Sequence, residues 1–250
     1  MRHFPIIILT CVILSSCKDR KVMRYHPVAI NEFDTCKSKD CLERAIKSNP
    51  KDVRAYWTLG TVYQADKNYE KALEILTIAI HLDSSYNLGF PYRDRANCKN
   101  NLRNDTGAVN DMNEAIKLNP GERYFYVDRG DYLFNLDKFD LALNDYTKAL
   151  TIFDKHTSAR LGRAKTYIEL KRYKEAFDDY TQLTDTSEYS AYDFYYRGIA
   201  KFQMNDKINA CKDWAEVSSV CQEAKDSLNK HCGNEQGSPL TKGLPQGWRT

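Results

Sequence analysis

Residues 56–82 read YWTLGTVYQADKNYEKALEILTIAIHL, and the fold can be predicted from the pattern in this stretch. Its second half places a small residue at Ala72, a large apolar residue at Leu76 and a small residue again at Ala79. Positions i, i+4 and i+7 lie on one face of an α-helix, and alanine on that face lets a neighbouring helix approach closely. The stretch therefore predicts an amphipathic helix packed against a second one.

The same helix face returns at a fixed interval along the chain. The small residue recurs at spacings of 36, 34, 34 and 34 residues, as Ala72, Ala108, Ala142, Ala176 and Ala210. The large residue between the small ones recurs as Leu76, Met112, Tyr146, Tyr180 and Trp214. A period of about 20 to 50 residues is typical of stacked repeats. We therefore infer five full repeats over residues 53–218, with the two extra residues of the longest interval in a loop at residues 84–88.

The first half of each repeat is equally regular. Tyr56-x2-Leu59-Gly60-x2-Tyr63 resembles the aromatic, Leu-Gly, Tyr motif of the tetratricopeptide repeat family. We expect the small residue of this motif, Gly60 here, to be where the first helix touches the second. The resemblance implies an all-α fold, a right-handed α-solenoid of helix pairs. The five repeats are predicted to start near Val53, Gly89, Arg123, Thr157 and Ala191.

The ends of the repeat array predict caps, which solenoids need because a terminal repeat otherwise exposes its apolar face. Residues 31–48 indicate one helix, the second half of an incomplete repeat, and residues 221–231 indicate a closing helix. The solenoid with its caps is thus expected over residues 31–232. Residues 233–250 hold four Gly and two Pro, which favours a flexible tail.

The first 17 residues have the layout of a secretory signal peptide. A short basic start precedes an apolar run of eleven residues, fewer than the roughly 20 that a membrane-spanning helix needs. Residues 14–17, LSSC, resemble the lipobox of bacterial lipoproteins, which implies cleavage before Cys17 and lipid on its thiol. Residues 18–30 would then be a tether from an outer-membrane lipid anchor. The alternative is an ordinary cleaved signal peptide with Cys17 incidental.

A charge pattern follows the same period. Four arginines are each followed 16 residues later by an aspartate, in the pairs Arg95 and Asp111, Arg129 and Asp145, Arg163 and Asp179, and Arg197 and Asp213. A guanidinium group can hold a carboxylate with two hydrogen bonds. We expect a ladder of ion pairs that joins helices within a repeat or between neighbouring repeats, and we interpret it as structural rather than catalytic.

Composition and motifs favour a binding protein over an enzyme. The chain has 37 Lys and Arg against 34 Asp and Glu and no long basic run, which argues against nucleic acid as a partner. It contains no Gly-x4-Gly-Lys loop and no Gly-x-Ser-x-Gly elbow. None of the five histidines has ligand spacing, and His81 and His156 are expected at helix ends. We therefore predict no catalytic site, no cofactor and no metal.

Export would place the cysteines in an oxidising compartment, where disulfides persist. Two antiparallel helices joined near Ser219 would bring Cys211 close to Cys232, so we predict a bridge that pins the closing helix to the last repeat. The alternative is a pair of buried free thiols. Cys36 and Cys41 could pair only where the helix is irregular.

The resemblance also implies where a partner would bind. In tetratricopeptide domains, positions 2, 5, 9, 12 and 13 of each repeat line the concave face. The residues carried over are Arg54, Trp57, Phe90, Arg93, Asn97, Asn101, Tyr124, Asp131, Phe134, Lys165, Tyr192, Tyr195 and Phe202. For any one aromatic residue, packing against the next helix is the alternative. The carboxylate clamp of some family members is not expected, because Asp128, Ser158 and Gly162 occupy three of its positions.

We therefore expect a lipid-anchored scaffold that binds a protein or peptide partner at the membrane of a bacterial cell envelope. Two alternatives stay open: a chaperone or pilot for an outer-membrane or secreted client, and a binding lipoprotein for a peptide or glycan.

Overall fold

The computed structural model describes residues 38–185 and 190–232, and these form twelve α-helices and one 3₁₀ turn, without a strand. Cys17, Cys36, the signal peptide, the tether at residues 18–30 and the tail at residues 233–250 lie outside the described residues. Within the described ranges, no helix combines the length and the apolar character that crossing a membrane requires. The chain divides into an N-terminal body that ends at Leu82 and a C-terminal body that begins at Asp83.

The N-terminal body contains α1 (Lys39–Ser48), α2 (Val53–Ala65) and α3 (Tyr69–Leu82). The side chain of Ser38, which is in an extended conformation, accepts a hydrogen bond from the amide of Cys41 and caps α1. This cap corrects the predicted helix over residues 31–48, since α1 begins only at Lys39. Leu42 of α1, Leu59 of α2 and Ile75 of α3 form the core of this body.

The C-terminal body contains four helix pairs and a closing helix, with consecutive helices packed together. The pairs are α4 (Phe90–Asn101) with α5 (Asp105–Leu118), α6 (Arg123–Asn135) with α7 (Phe139–Ile152), α8 (Thr157–Glu169) with α9 (Tyr173–Thr184), and α10 (Ala191–Gln203) with α11 (Lys207–Val217); α12 (Gln222–Cys232) closes the series. The predicted α-solenoid class of paired helices is confirmed. Four of the five first helices begin at the predicted residue, and α4 begins one residue after the predicted Gly89.

A left-handed turn accounts for the longer first interval. The 3₁₀ turn Tyr86–Gly89 has φ values of 50° at Asn87, 51° at Leu88 and 92° at Gly89. The glycine also permits a close approach to α5, because a Cβ atom at residue 89 would lie 2.9 Å from the Cα atom of Ala115. Its positive φ and this contact both require glycine.

The contact between the two helices of a pair depends on one small residue facing one large residue. A Cβ atom added at Gly130 would lie 2.8 Å from the ring of Tyr146, and one added at Gly198 would lie 2.5 Å from the indole nitrogen of Trp214. Both large side chains are almost fully buried. The predicted contact between the small residue of the first helix and the second helix is therefore confirmed.

Candidate partner-binding face

The four periodic arginines pair with the aspartates of their own helix pairs. Each guanidinium donates to both carboxylate oxygens, through Nε and Nη2. The distances from Nη2 to Oδ1 are 2.7 Å for Arg95 and Asp111, 2.6 Å for Arg129 and Asp145, 2.7 Å for Arg163 and Asp179, and 2.8 Å for Arg197 and Asp213. All four aspartates are buried. Both oxygens of each carboxylate thus accept hydrogen bonds that join the two helices of a pair.

Two of these arginines also reach the preceding helix pair. Nη1 of Arg129 donates to Oδ1 of Asn113 at 2.8 Å, and Nη1 of Arg197 donates to Oγ1 of Thr184. A single side chain therefore connects three helices, which is the geometry of a structural staple.

The first helices of the C-terminal body are α4, α6, α8 and α10, and we call the surface that they make the first-helix face. Within it, α6 packs against α8. Arg93 of α4 makes an ion pair with Asp128 of α6. The hydroxyl group of Tyr132 donates to Oδ1 of Asn97 at 2.6 Å. The ion pair and the hydrogen bond therefore hold α4 against α6.

The predicted binding residues divide into an exposed group and a half-buried group. The exposed residues are Asn101, Tyr124, Asp131, Lys165 and Tyr192. The half-buried residues are Phe90, Arg93, Asn97, Phe134, Tyr195 and Phe202 in the C-terminal body, and Arg54 and Trp57 in the N-terminal body. The exposed group is the part of the prediction that a partner could touch directly.

Three aromatic residues fill space between helices instead of presenting an open surface. The ring of Phe90 lies 5.2 Å from that of Phe125, and the ring of Phe134 lies 5.3 Å from that of Phe139. Phe202 lies 4.5 Å from the ring of His231 in the closing helix. These contacts match the alternative stated for the aromatic residues, which is packing against a neighbouring helix. Partner binding at these three half-buried residues stays a prediction.

Asp131 is the exposed carboxylate at the middle of this face. Its Oδ1 accepts a hydrogen bond from the hydroxyl group of Tyr146 at 2.6 Å, and no Lys or Arg of the described ranges makes an ion pair with it. Loss of hydration, and then repulsion from Asp128, raise the pKa of Asp131 to about 6, while Tyr146 and Lys165 oppose the shift. The hydrogen bond from Tyr146 therefore holds the carboxyl group in place, while no ion pair compensates its negative charge.

A cluster that the sequence pattern did not reveal surrounds Tyr124. His156 caps α8, since its Nδ1 accepts a hydrogen bond from the amide of Ala159 at 3.3 Å, and it is only 8% exposed. Its ring lies 5.1 Å from that of Tyr124. The guanidinium carbon of Arg123 lies 4.6 Å from the Tyr124 ring and 5.1 Å from the Phe153 ring. The sequence placed His156 at a helix end but gave no sign of its burial.

The structure joins Cys211 and Cys232 in a disulfide, with 6.0 Å between their Cα atoms. The bridge connects α11 to the end of α12. Within the described ranges, Cys98 and Cys221 are buried free thiols.

Comparison with known proteins agrees with this geometry. The family model described as "Tetratricopeptide repeat" matches residues 37–87 and 127–191. These two stretches of the chain match the tetratricopeptide repeat. Among curated relatives, heat shock protein STI1 of Saccharomyces cerevisiae is 33% identical over 107 residues, which cover 43% of this chain and 18% of that protein. Human tetratricopeptide repeat protein 6 is 28% identical over 144 residues, which cover 58% of this chain and 27% of that protein. The chain thus spans only about a fifth to a quarter of the length of these two relatives.

Solved structures of three proteins show the same fold. YrrB, described as a TPR protein with an unusual peptide-binding site, has a TM-score of 0.67 and 19% identity, covering 76% of this chain and 98% of that one. The Pseudomonas aeruginosa pilF structure has a TM-score of 0.67 and 16% identity, covering 82% and 93%. PilW, described as a type IV pilus biogenesis factor, has a TM-score of 0.65 and 16% identity, covering 81% and 94%.

Proposed function

We propose that this chain is a lipid-anchored, non-enzymatic scaffold of a bacterial cell envelope that binds a protein partner through the first-helix face. The observation that carries the proposal is the regular placement of four exposed side chains. Tyr124 and Tyr192 stand at the second position of their repeats, and Asp131 and Lys165 stand at the ninth position of two successive repeats. Aromatic anchors beside fixed charges suit an extended segment of a partner protein.

The comparisons with known proteins support one part of this proposal, that the chain binds a protein partner. Tetratricopeptide repeat proteins act as protein–protein interaction scaffolds, and YrrB, which shares this fold, is described as having a peptide-binding site. The matching family model describes a repeat and not a catalytic domain.

Photo-crosslinking tests the face directly. We would place a photoreactive amino acid at Tyr124 or at Tyr192, with Leu141 as the control position, because Leu141 is 52% exposed but belongs to a second helix, α7. In intact cells, both face positions should capture the same envelope protein while Leu141 does not. Capture at Leu141 alone, or of unrelated proteins at the two face positions, would contradict the proposal.

The lipid anchor rests on the sequence around Cys17 and has its own test. Wild-type protein should incorporate labelled palmitate and sediment with outer membranes, because several acyl chains on one residue hold a protein at a bilayer. The Cys17→Ser variant should incorporate no label and should leave the membrane fraction. Equal membrane retention of the variant would show that Cys17 is not the anchor.

A second candidate function is an accessory factor for an outer-membrane or secreted client. It is favoured by the likeness to PilW, which is described as a pilus biogenesis factor, although this likeness concerns the fold alone. The two candidates differ in the lifetime of the complex. A scaffold should copurify with its partner without crosslinking, whereas a client should be retained only when the complex is crosslinked during assembly.

A further inference from the structure

We propose that the Tyr124 end of the first-helix face binds a carboxylate group of the partner segment, held by Arg123 and His156. We call these two residues with Tyr124 and Phe153 the donor cluster. The proposal rests on the proposed function, since it names the chemistry of one contact on the same face.

The first argument is the hydrogen bonding of His156. Its Nδ1 accepts from the amide of Ala159, so the neutral ring carries its proton on Nε2. The Nε2 atom is buried and has no hydrogen-bond partner among the described residues. His156 as a whole is more than nine-tenths buried. A buried donor without an acceptor costs free energy, and native structures usually satisfy it.

The second argument is a matching donor on Arg123. Its Nε is also buried and finds no partner in the described part of the chain. One of its terminal nitrogens donates to the hydroxyl group of Tyr124 at 3.2 Å, which orients the guanidinium. Two unpartnered N–H groups in one cluster call for an acceptor, and a carboxylate offers two oxygens.

The third argument is electrostatic. The donor cluster lies at the N-terminus of α8, a helix of 13 residues. The dipole of such a helix favours negative charge at its N-terminus. Loss of hydration and the charge of Arg123 lower the pKa of His156, so the ring is neutral near pH 7. Asp128 and Glu122 oppose this shift, and Asp128 is paired with Arg93. Arg123 makes no ion pair with a carboxylate of the described residues, so its charge can act on a ligand.

The fourth argument concerns the two aromatic rings that flank the buried N–H groups. Tyr124 is 39% exposed and Phe153 is 43% exposed, yet their rings flank the buried donors of Arg123 and His156. Exposed aromatic side chains change rotamer readily. A partner that moves these two rings aside would pack against them and reach the N–H groups of Arg123 and His156. The residues involved differ from those at the family's carboxylate-clamp positions, where Asp128 and Gly162 stand.

The test is an NMR titration of the ¹⁵N-labelled full chain at pH 7.5 with sodium acetate, against sodium chloride at the same ionic strength. Acetate should shift the Nε–H signal of Arg123 and the Nε2–H signal of His156 saturably, while chloride should not. The His156→Asn variant keeps a helix-capping oxygen but loses the Nε2–H donor, so its acetate affinity should fall at least about tenfold. Arg123→Gln should produce a similar loss, and Lys155→Gln, an exposed change next to the cap, should have no effect.

Four results would overturn the inference. One is a linear shift equal for acetate and chloride. Another is an unchanged acetate affinity in both variants. The third is full protection of both N–H groups from exchange before acetate is added, because an internal water or protein group would then already satisfy them. Tighter binding of inorganic phosphate than of acetate would reject the carboxylate in favour of a phosphoryl group. Crosslinking at Tyr192 is independent of these outcomes, so failure here leaves the proposed function separately testable.

Discussion

Breaking one pair of the Arg–Asp ladder should destabilise the fold by a large and calculable amount. Arg129→Met removes two hydrogen bonds to Asp145 and one to Asn113, and it leaves the Asp145 carboxylate without a cation at 5% exposure. Removing one partner of a buried pair costs about 3–5 kcal/mol. The side chain of Arg129 is 23% exposed, so water can reach part of the gap and the lower end applies. We expect a loss of about 3 kcal/mol.

Thermal unfolding followed by circular dichroism measures this loss. In a chain of this size, 1 kcal/mol corresponds to about 2–4 °C in Tm, so Arg129→Met should lower Tm by about 6–12 °C. The matched control is Lys117→Met, which breaks an ion pair with Glu114 whose side chains are 70% and 48% exposed, and should change the stability by less than about 0.5 kcal/mol.

A double-mutant cycle separates the pair from its surroundings. Asp145→Leu alone should also destabilise, because it leaves the Arg129 guanidinium partly buried without its anion. The double variant should lose clearly less than the sum of the single losses, since no unpaired charge remains. Additive losses, or an Arg129→Met variant as stable as the Lys117→Met control, would refute the view that the ladder staples the helices.

Three further predictions concern the contact within a helix pair, the first-helix face and the closing helix. Gly130→Ala should destabilise by about 1–3 kcal/mol in urea unfolding, because the new Cβ would lie 2.8 Å from a buried ring, whereas Gly121→Ala, whose Cβ would meet nothing closer than 3.6 Å, should not. The raised pKa of Asp131 means that its stabilising contribution is present below about pH 3.8 and is lost as the pH rises through about 6. Asp131→Asn should therefore raise Tm relative to wild type at pH 8 but not at pH 4, and an equal difference at both values would contradict the shift. Replacing Cys211 and Cys232 by Ser should lower the stability by about 3 kcal/mol and open the closing helix to thermolysin; unchanged cleavage would show that the bridge does not hold it.

The periodic features were predictable because each depends on spacing alone. A 34-residue period with alanine and large residues at i, i+4 and i+7 specifies where two helices touch, so the helix starts and the contact of Gly130 with Tyr146 followed from the sequence. The ladder geometry also depends on one repeated spacing, 16 residues from Arg129 to Asp145.

Features that depend on a third element were not predictable. Phe202 was predicted to line the binding face, but the closing helix brings the ring of His231 within 4.5 Å of its own ring. The burial of His156 requires Tyr124 from a different repeat. The pKa of Asp131 reflects Tyr146, Asp128 and Lys165 together, and no local spacing encodes that combination.

The ladder and the first-helix face use different residues of the same helix, so stability and binding can be tested at different positions. Arg129 and Asp131 are two residues apart on α6, which places their side chains about 200° apart around the helix axis. Arg129 reaches the second helices through Asn113 and Asp145, while Asp131 is exposed and accepts one hydrogen bond from Tyr146 of α7. Substitutions of exposed face residues, such as Lys165→Ala, should weaken partner capture with little change in Tm, whereas ladder substitutions should lower Tm first. If Lys165→Ala lowered Tm as much as Arg129→Met, the face would be part of the structural framework rather than a surface kept for a partner.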